Sequence, residues 1–299
     1  MRNIILLVIV VVMLFCLLIS SLNKNKTTFS NEVKVTIYDK DKDVKKTLNL
    51  EDYIIGVVAG EMPASFEDEA LKAHAVAART YAMYMIEKKS NNYDLVTDVS
   101  NQVYIDDEAM FTKWNSEYEY YKTKITNAVN ETRNIIMTNN DKVICAYYFA
   151  ISNGYTEDSV PVFGEHHDYI QSTESLWDKN VNNYEVTTTI SKDEFCAKLG
   201  LLCNNIVIEN VEHTSTNRIK SIKINGNTYT GIELRKKLNL RSTDFEIKVD
   251  DNITITTRGY GHGVGMSQYG ANEMAKMGKT YEEILKYYYK NIKLEQIHV

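Results

Sequence analysis

Glu61 is the residue of this sequence whose type and surroundings best suit acid catalysis. It lies in the stretch Gly60-Glu61-Met62-Pro63, directly before an alanine-rich segment that runs to Met85. A general acid needs a carboxyl group that is held rigidly and partly removed from water, so that it keeps its proton near neutral pH. Gly60 permits unusual backbone dihedrals and Pro63 fixes its own, so the sequence predicts a stiff turn around the acid. The competing interpretation is a solvated loop carboxylate, which the spacing alone does not exclude.

The segment after this turn predicts one long helix. Ser65 and Asp68 have the spacing of a capping box, and the acidic residues of the first turn suit the positive end of the helix dipole. Alanines recur at roughly helical spacing, which predicts a closely packed face. Lys72 and Arg79 share another face of the helix, so a cationic surface is expected downstream of Glu61.

Three blocks of the sequence resemble the motifs of the stage II sporulation protein D family, in the family's order. They are the GEMP turn with its helix, SNGYTE at 152–157 and GYGHGVGMSQ at 259–268. The family's members are peptidoglycan lytic transglycosylases that act in engulfment during endospore formation. The resemblance covers the chain from about Val33 to its end, and it implies that Glu61 is the catalytic acid.

The resemblance also implies the chemistry. Glycoside hydrolysis normally needs two carboxylates, but the acidic residues near Glu61 in the sequence are explained as helix-start residues. Lytic transglycosylation needs one: Glu61 would protonate the glycosidic oxygen between N-acetylmuramic acid and N-acetylglucosamine. It would then accept the proton of the muramoyl C6 hydroxyl, which closes on C1 to give a 1,6-anhydro product. The expected substrate is a glycan strand of peptidoglycan already stripped of its stem peptides. The residues predicted to bind it are Lys72, Arg79, Ser152, Asn153, Tyr155, His262 and Gln268.

The alternating glycines of the 259–268 block allow two interpretations. A phosphate-cradling loop would need a different glycine spacing, at the start of an early strand–helix unit. Here the loop follows a predicted β hairpin near the end of the chain, so we prefer close approach of the backbone to a bulky ligand such as a glycan. His262 would then contact the sugar or orient Glu61, or it would only hold the loop in place.

This chemistry requires no cofactor, yet one departure from the family pattern allows a zinc site. The family's helix usually reads EALKAQA, whereas this chain has His74 at the position of the glutamine. Cys145 stands where we expect a residue that does not bind metals. A histidine and a cysteine near the same loops are zinc ligands by type, and such a zinc ion could be structural, inhibitory or catalytic. The competing interpretation is that both residues belong to the core.

The amino terminus predicts a membrane anchor. Residues 4–22 are almost unbroken apolar residues without charge, which is long enough to span a bilayer. A cleaved signal peptide is the alternative, but no Ala-x-Ala-like site follows. We therefore predict an uncleaved anchor and the start of a linker at residues 1–26. The flanking charges do not decide the orientation. The resemblance implies a single-pass protein of the mother-cell membrane whose catalytic domain faces the wall outside the cytoplasm.

Helices and mostly antiparallel strands occur in clusters along the rest of the chain, so we predict an α+β fold with an N-terminal transmembrane helix. Residues 33–299 would form the catalytic domain, with a sub-domain at about 190–257. Asn225-Gly226 predicts a hairpin turn. Cys196 and Cys203 could be bridged only if the helix between them stops near Gly200, and we predict no disulfide framework.

The formal net charge of -6 argues against a nucleic-acid partner, which would require a basic face. The resemblance implies three partners: the glycan strands, a sporulation amidase and a further membrane protein of the engulfment machinery. Two other functions stay open. One is a non-catalytic scaffold that binds the wall and activates a partner amidase, and the other is a zinc hydrolase that uses Cys145 and a histidine.

Overall fold

The computed structural model describes residues 33–88, 91–202 and 205–297. The described residues from Lys34 onwards group into one compact unit. The predicted anchor at residues 4–22 lies outside the described residues. Within the described ranges, no helix is both long enough and apolar enough to cross a membrane.

Helices and strands alternate in short clusters through the described part of the chain. The helices are α1 (Leu50–Glu61), α2 (Asp68–Glu87), α3 (Asp107–Trp114), α4 (Tyr118–Glu131), α5 (Val160–Phe163), α6 (Lys192–Leu199), α7 (Gly231–Leu238), α8 (Gln268–Lys276) and α9 (Tyr281–Tyr288), with 3-10 turns at Asn115–Glu117 and Leu176–Asn180. The strands are β1 (Lys34–Asp39), β2 (Val44–Asn49), β3 (Leu95–Val96), β4 (Ile135–Asn139), β5 (Lys142–Val143), β6 (Tyr148–Phe149), β7 (Glu185–Ile190), β8 (Ile208–His213), β9 (Ile219–Ile224), β10 (Asn227–Thr230), β11 (Asp244–Val249), β12 (Ile253–Arg258), β13 (Met266–Ser267) and β14 (Lys293–Gln296).

The strands form small sheets with the orders β2-β1-β3, β10-β9-β8, β11-β12-β7, β13-β6 and β14-β4-β5. Only β1–β3 and β13–β6 are parallel among the described strand pairs. The second of these pairs joins the two later motifs, because β6 leads into the 152–157 loop and β13 closes the glycine loop. The α+β prediction is therefore confirmed for the described residues.

The segment around Glu61 corrects two local predictions. Glu61 is the last residue of α1, not part of a turn, and Gly60 is helical. A Cβ at Gly60 would lie 2.5 Å from the carbonyl oxygen of Val103, so this glycine serves close backbone approach. The next helix, α2, begins at Asp68 rather than at a cap on Ser65, and Glu67 is its N-cap residue.

Helix α2 forms the centre of the main core. Its alanines at 70, 73, 75, 77 and 78 are fully buried, and small side chains let neighbouring elements approach its backbone closely. It contacts α1, α4, α8, α9 and β4. This central helix therefore carries His74 and Arg79 into the interior.

A second hydrophobic cluster lies in the part of the chain from β7 to β12. It is built from α6, α7 and the inner faces of β9, β11 and β12, with Phe195, Leu234 and Ile253 at its centre. The predicted sub-domain at about 190–257 has this cluster as its core, and its boundaries stay a prediction. Helix α6 stops at Leu199, with Gly200 in the left-handed conformation. Cys196 is disulfide-bonded, although we predicted no disulfide framework.

Candidate functional site

The carboxyl group of Glu61 is held by two hydrogen bonds. The Val103 backbone N–H donates to its Oε1 at 2.7 Å, and the Gln268 side chain also donates to it. Burial raises the pKa of this carboxyl above its ordinary value, although these two donors and the charge of Lys113 oppose the rise. Glu61 therefore keeps its proton to a higher pH than a solvated glutamate does, as a general acid requires.

Two buried tyrosines adjoin Glu61. Burial, with a contribution from the Glu61 charge, raises the pKa of both Tyr53 and Tyr148. Gln102 joins them: the Tyr53 hydroxyl donates to its Oε1 at 3.1 Å, and its Nε2 donates to the Tyr148 hydroxyl at 2.9 Å. Nothing in the sequence indicates this network, since its members come from α1, a loop and β6 and show no shared spacing.

Gln268 connects Glu61 to His74. The Nε2 atoms of Gln268 and His74 lie 3.2 Å apart. Because an amide nitrogen can only donate, the His74 Nε2 atom accepts this hydrogen bond. Burial lowers the pKa of His74 to about 3, so the ring is neutral. Its proton then lies on Nδ1, a buried atom without a hydrogen-bond partner among the described residues. The first and third motifs thus meet at the carboxyl group.

His262 is held within its own loop. Its Nδ1 accepts from the Val264 N–H at 3.1 Å, and its ring lies 5.3 Å from that of Phe163. Burial, with a smaller effect of the nearby Arg235 charge, lowers its pKa to about 3. It lines a cleft of about 110 Å³ together with Tyr148, the tyrosine beside Glu61. Its proposed contact with the sugar stays a prediction.

Ser152 forms its hydrogen bonds with buried groups of the protein. It is fully buried, and its N–H donates to Asp178 Oδ1 at 3.2 Å. The Ser267 hydroxyl donates to the same carboxylate oxygen at 2.7 Å, and Ser175 donates to the other. Asp178 therefore ties the second motif to the N-cap of α8, one residue before Gln268. Burial raises its pKa to about 6, against the lowering effect of the serine donors. No pattern around Asp178 in the sequence indicated this role.

Arg79 and Lys72 do not form the expected cationic surface. Arg79 is fully buried, and its guanidinium binds Glu51 in a bidentate pair at 2.9 and 2.6 Å. Two further donors of Arg79 reach backbone carbonyls of α4 and β4. Lys72 pairs with Glu69 at 2.8 Å and with Glu131 at 2.6 Å. Arg79 could reach a saccharide only by breaking this buried ion pair, and its binding of substrate stays a prediction.

Asn153 and Tyr155 line a second cleft, of about 320 Å³. The Asn153 amide donates to Thr216 O and to Asp244 Oδ2, both at 2.7 Å. Tyr155 is exposed by 41%. This cleft shares no lining residue with the cleft at His262. The fold therefore places His262 in one cleft and Asn153 and Tyr155 in another.

The two predicted zinc ligands have different neighbours. His74 pairs with Gln268 and packs edge-on against Tyr148. Cys145 is buried, and burial raises the pKa of its thiol to about 11, which disfavours the thiolate that binds metals. The described residues contain no group of three or more histidine, cysteine or acidic side chains placed to hold a metal ion. The residues present thus do not fit a zinc site, and the zinc hypothesis stays a prediction without structural support.

Comparison with known proteins agrees with the motifs. A family model described as "Stage II sporulation protein" matches residues 38–139. Stage II sporulation protein D of Bacillus subtilis (strain 168) is 41% identical over 279 residues, which cover 91% of this chain and 81% of that protein. The protein of the same name from Bacillus amyloliquefaciens is 41% identical over 278 residues, covering 90% and 81%. The "Amidase enhancer" of Bacillus subtilis (strain 168) is 29% identical over 295 residues, covering 78% and 39%. This chain belongs to the stage II sporulation protein D family.

Proposed function

We propose that this chain is a lytic transglycosylase that cleaves peptidoglycan glycan strands during sporulation engulfment. One observation supports the proposal. A single carboxyl group, that of Glu61, is largely buried and has a raised pKa, and two hydrogen-bond donors hold its orientation. Among the described residues, the groups that shift its pKa include no second carboxylate. A lone buried acid suits a reaction in which one group both gives and takes the proton.

The reaction is balanced without water. Protonated Glu61 donates its proton to the glycosidic oxygen between N-acetylmuramic acid and N-acetylglucosamine, and the bond from that oxygen to muramoyl C1 breaks. The muramoyl C6 hydroxyl oxygen then bonds to C1, and its proton returns to the Glu61 carboxylate. The Val103 N–H, the Gln268 amide and the Lys113 ammonium stabilise the carboxylate between these two steps, because charge-assisted hydrogen bonds favour the ionised form.

The test uses the full-length chain, purified in detergent, on cell wall that an amidase has stripped of stem peptides. Mass spectrometry should find 1,6-anhydro-muramoyl ends. Glu61→Gln keeps the size of the side chain and one accepting oxygen but has no acidic proton to give, so we expect activity to fall by about a hundredfold or more. Absence of anhydro ends from the parent chain, or full activity in Glu61→Gln, would refute the proposal.

A second function has one observation in its favour, the similarity to the amidase enhancer. In this alternative the chain is a non-catalytic scaffold that binds the wall and activates a partner amidase. Glu61→Gln would then leave amidase activation unchanged, and the isolated chain would cut nothing. Both roles can also reside in one protein, with the amidase and a further membrane protein as partners.

For the location we propose a single-pass protein anchored in the mother-cell membrane, with the domain from Val33 onwards facing the wall. The disulfide bond of Cys196 supports a place outside the cytoplasm, since disulfide bonds persist mainly in oxidising compartments. Protease added to intact sporulating cells should therefore degrade the domain. Protection of the domain until the cells are lysed would contradict this location.

A further inference from the structure

The second cleft, which we call the Lys179 cleft, has the chemistry of a saccharide site. Its volume is about 320 Å³, and its lining includes Asn153, Tyr155, Lys179, Tyr184, Ser215 and Asn217. A small number of polar groups that converge beside aromatic rings is typical of sites for polar ligands. Sugars present both hydroxyl groups and apolar ring faces, so they suit such a lining.

The aromatic and polar groups are available to a ligand. Tyr155 is 41% exposed, and Tyr184 is fixed beside it because its hydroxyl donates to the Asn153 carbonyl oxygen at 3.0 Å. Ser215 and Asn217 are exposed. Asn217 has a positive φ of 65°, so it lies in a tight turn at the cleft.

Lys179 supplies a positive charge that the protein leaves free. Within the described part of the chain, its ammonium group forms no ion pair or hydrogen bond. The other cation of the cleft, Arg258, is already engaged with Glu185 at 2.9 Å and Asp244 at 3.5 Å. An anionic group in the cleft would therefore meet Lys179.

Lys179 lies against the second motif at Gly154. A Cβ at Gly154 would lie 2.6 Å from Lys179 Cε, and Gly154 has a φ of +113°. The side chain of Lys179 therefore lies directly over the backbone of the motif, where only glycine leaves room for it. Lys179 and the exposed Tyr155 both line this cleft.

We propose that the Lys179 cleft binds a saccharide unit that carries a carboxylate, with Lys179 as its ion-pair partner. The inference rests on the proposed function. When a strand has lost its stem peptides, the lactyl group of each N-acetylmuramic acid ends in a free carboxylate, whereas in an intact strand the same carbon is an uncharged amide. Lys179 thus distinguishes stripped strands from intact strands by charge. Because the site is open to solvent, the discrimination is modest, about three- to tenfold in affinity.

The experiment measures binding, not cleavage. Full-length Glu61→Gln chain in detergent is titrated by calorimetry with a stripped tetrasaccharide of alternating N-acetylglucosamine and N-acetylmuramic acid. A second probe is the same tetrasaccharide with its lactyl groups converted to primary amides. We expect the carboxylate probe to bind three- to tenfold more tightly. In Glu61→Gln with Lys179→Gln, both probes should bind equally, with the affinity that the amide probe had before.

A matched control is Lys142→Gln, which removes an exposed lysine on β5. It should keep the full discrimination. Equal binding of the two probes to Glu61→Gln, or discrimination that survives Lys179→Gln, would overturn the inference. If discrimination depends on Lys179 but the parent chain makes no anhydro ends, the result supports the saccharide site in the Lys179 cleft and refutes the proposed transglycosylase activity.

Discussion

Gln268 places its amide between the carboxyl group of Glu61 and the imidazole of His74, a residue 194 positions away in the chain. The amide nitrogen of Gln268 donates both of its hydrogens, one to the Glu61 carboxylate and the other to His74 Nε2. Gln268 is also the first residue of α8, whose N-cap Ser267 is bound to Asp178. Gln268, which lowers the pKa of Glu61, thus directly follows a residue that shares the Asp178 carboxylate with Ser152 of the second motif.

Gln268→Leu should move the alkaline limb of the pH–rate profile to higher pH. The Gln268 hydrogen bond lowers the pKa of Glu61, so its loss raises that pKa. A general acid is active while protonated, and its activity is lost as pH rises through its pKa. The measurement is the rate of anhydro-end formation against pH. The exposed Gln171→Leu is the control and should leave the limb in place. An alkaline limb of Gln268→Leu that stays or moves down would contradict this role.

Gly265→Ala should destabilise the protein more than Gly278→Ala. The two glycines have almost the same φ, +81° and +82°, but an added Cβ overlaps the Tyr147 carbonyl oxygen only at Gly265. Gly278→Ala isolates the left-handed backbone penalty of about 1–2 kcal/mol. At Gly265 the overlap adds to this penalty. The free energy of unfolding should therefore fall by more than about 3 kcal/mol, or the variant should not fold. Urea unfolding followed by circular dichroism compares them, and equal losses would rule out the packing argument.

Arg79→Ala should lower the free energy of unfolding by about 3–5 kcal/mol, since it leaves Glu51 buried without its partner. Lys72→Ala is the control, because its ion pairs involve the exposed Glu131 and contribute about 1 kcal/mol or less. The double variant Glu51→Leu/Arg79→Met should recover part of the loss. Unfolding by urea measures all of them. A loss for Arg79→Ala no larger than that for Lys72→Ala would show that the pair is not structural.

Asp178 should make stability depend on pH between about 4 and 6. Its pKa in the folded protein, about 6, is above the ordinary 3.8, so the folded state binds the proton more tightly. Its contribution to stability is complete below the ordinary pKa and is lost as pH rises through about 6. The difference in unfolding free energy between the parent and Asp178→Asn should change by up to about 3 kcal/mol over this range, with the parent favoured at pH 4 relative to pH 7. If the unfolding free energies of the parent and Asp178→Asn change in parallel with pH, the proposed contribution of Asp178 is refuted.

Zinc analysis should find less than one zinc ion per chain. The described residues bring together no set of three ligands around Cys145 or His74, and the buried thiol of Cys145 holds its proton. Mass spectrometry of the purified chain measures the metal. Cys145→Ser and His74→Gln should both keep Glu61-dependent cleavage. One zinc ion per chain that is lost in either variant would contradict this expectation and support the zinc hypothesis.

The local predictions that succeeded depend on neighbouring residues. The Asn225-Gly226 turn joins β9 to β10 with both residues at positive φ. Local spacing also matters at Thr280 and Glu283, which form a capping box at the start of α9. The predicted start of α2 is wrong for the opposite reason, because a residue far away in the chain takes part in it. The Glu67 N–H is bound by Asn272 of α8, from the far end of the chain, at 2.8 Å.

The sequence by itself determined the three motifs and the mixed α+β class, and it indicated Glu61 as the candidate acid, because residue types and short spacings carry that information. Only the tertiary structure decided which charges are buried and what they touch. In the folded protein, Arg79 forms a buried ion pair with Glu51. Asp178 joins two motifs, and Lys179 lies over Gly154. Burial and hydrogen bonding set the pKa of a side chain, and here both arise from residues that lie far apart in the chain.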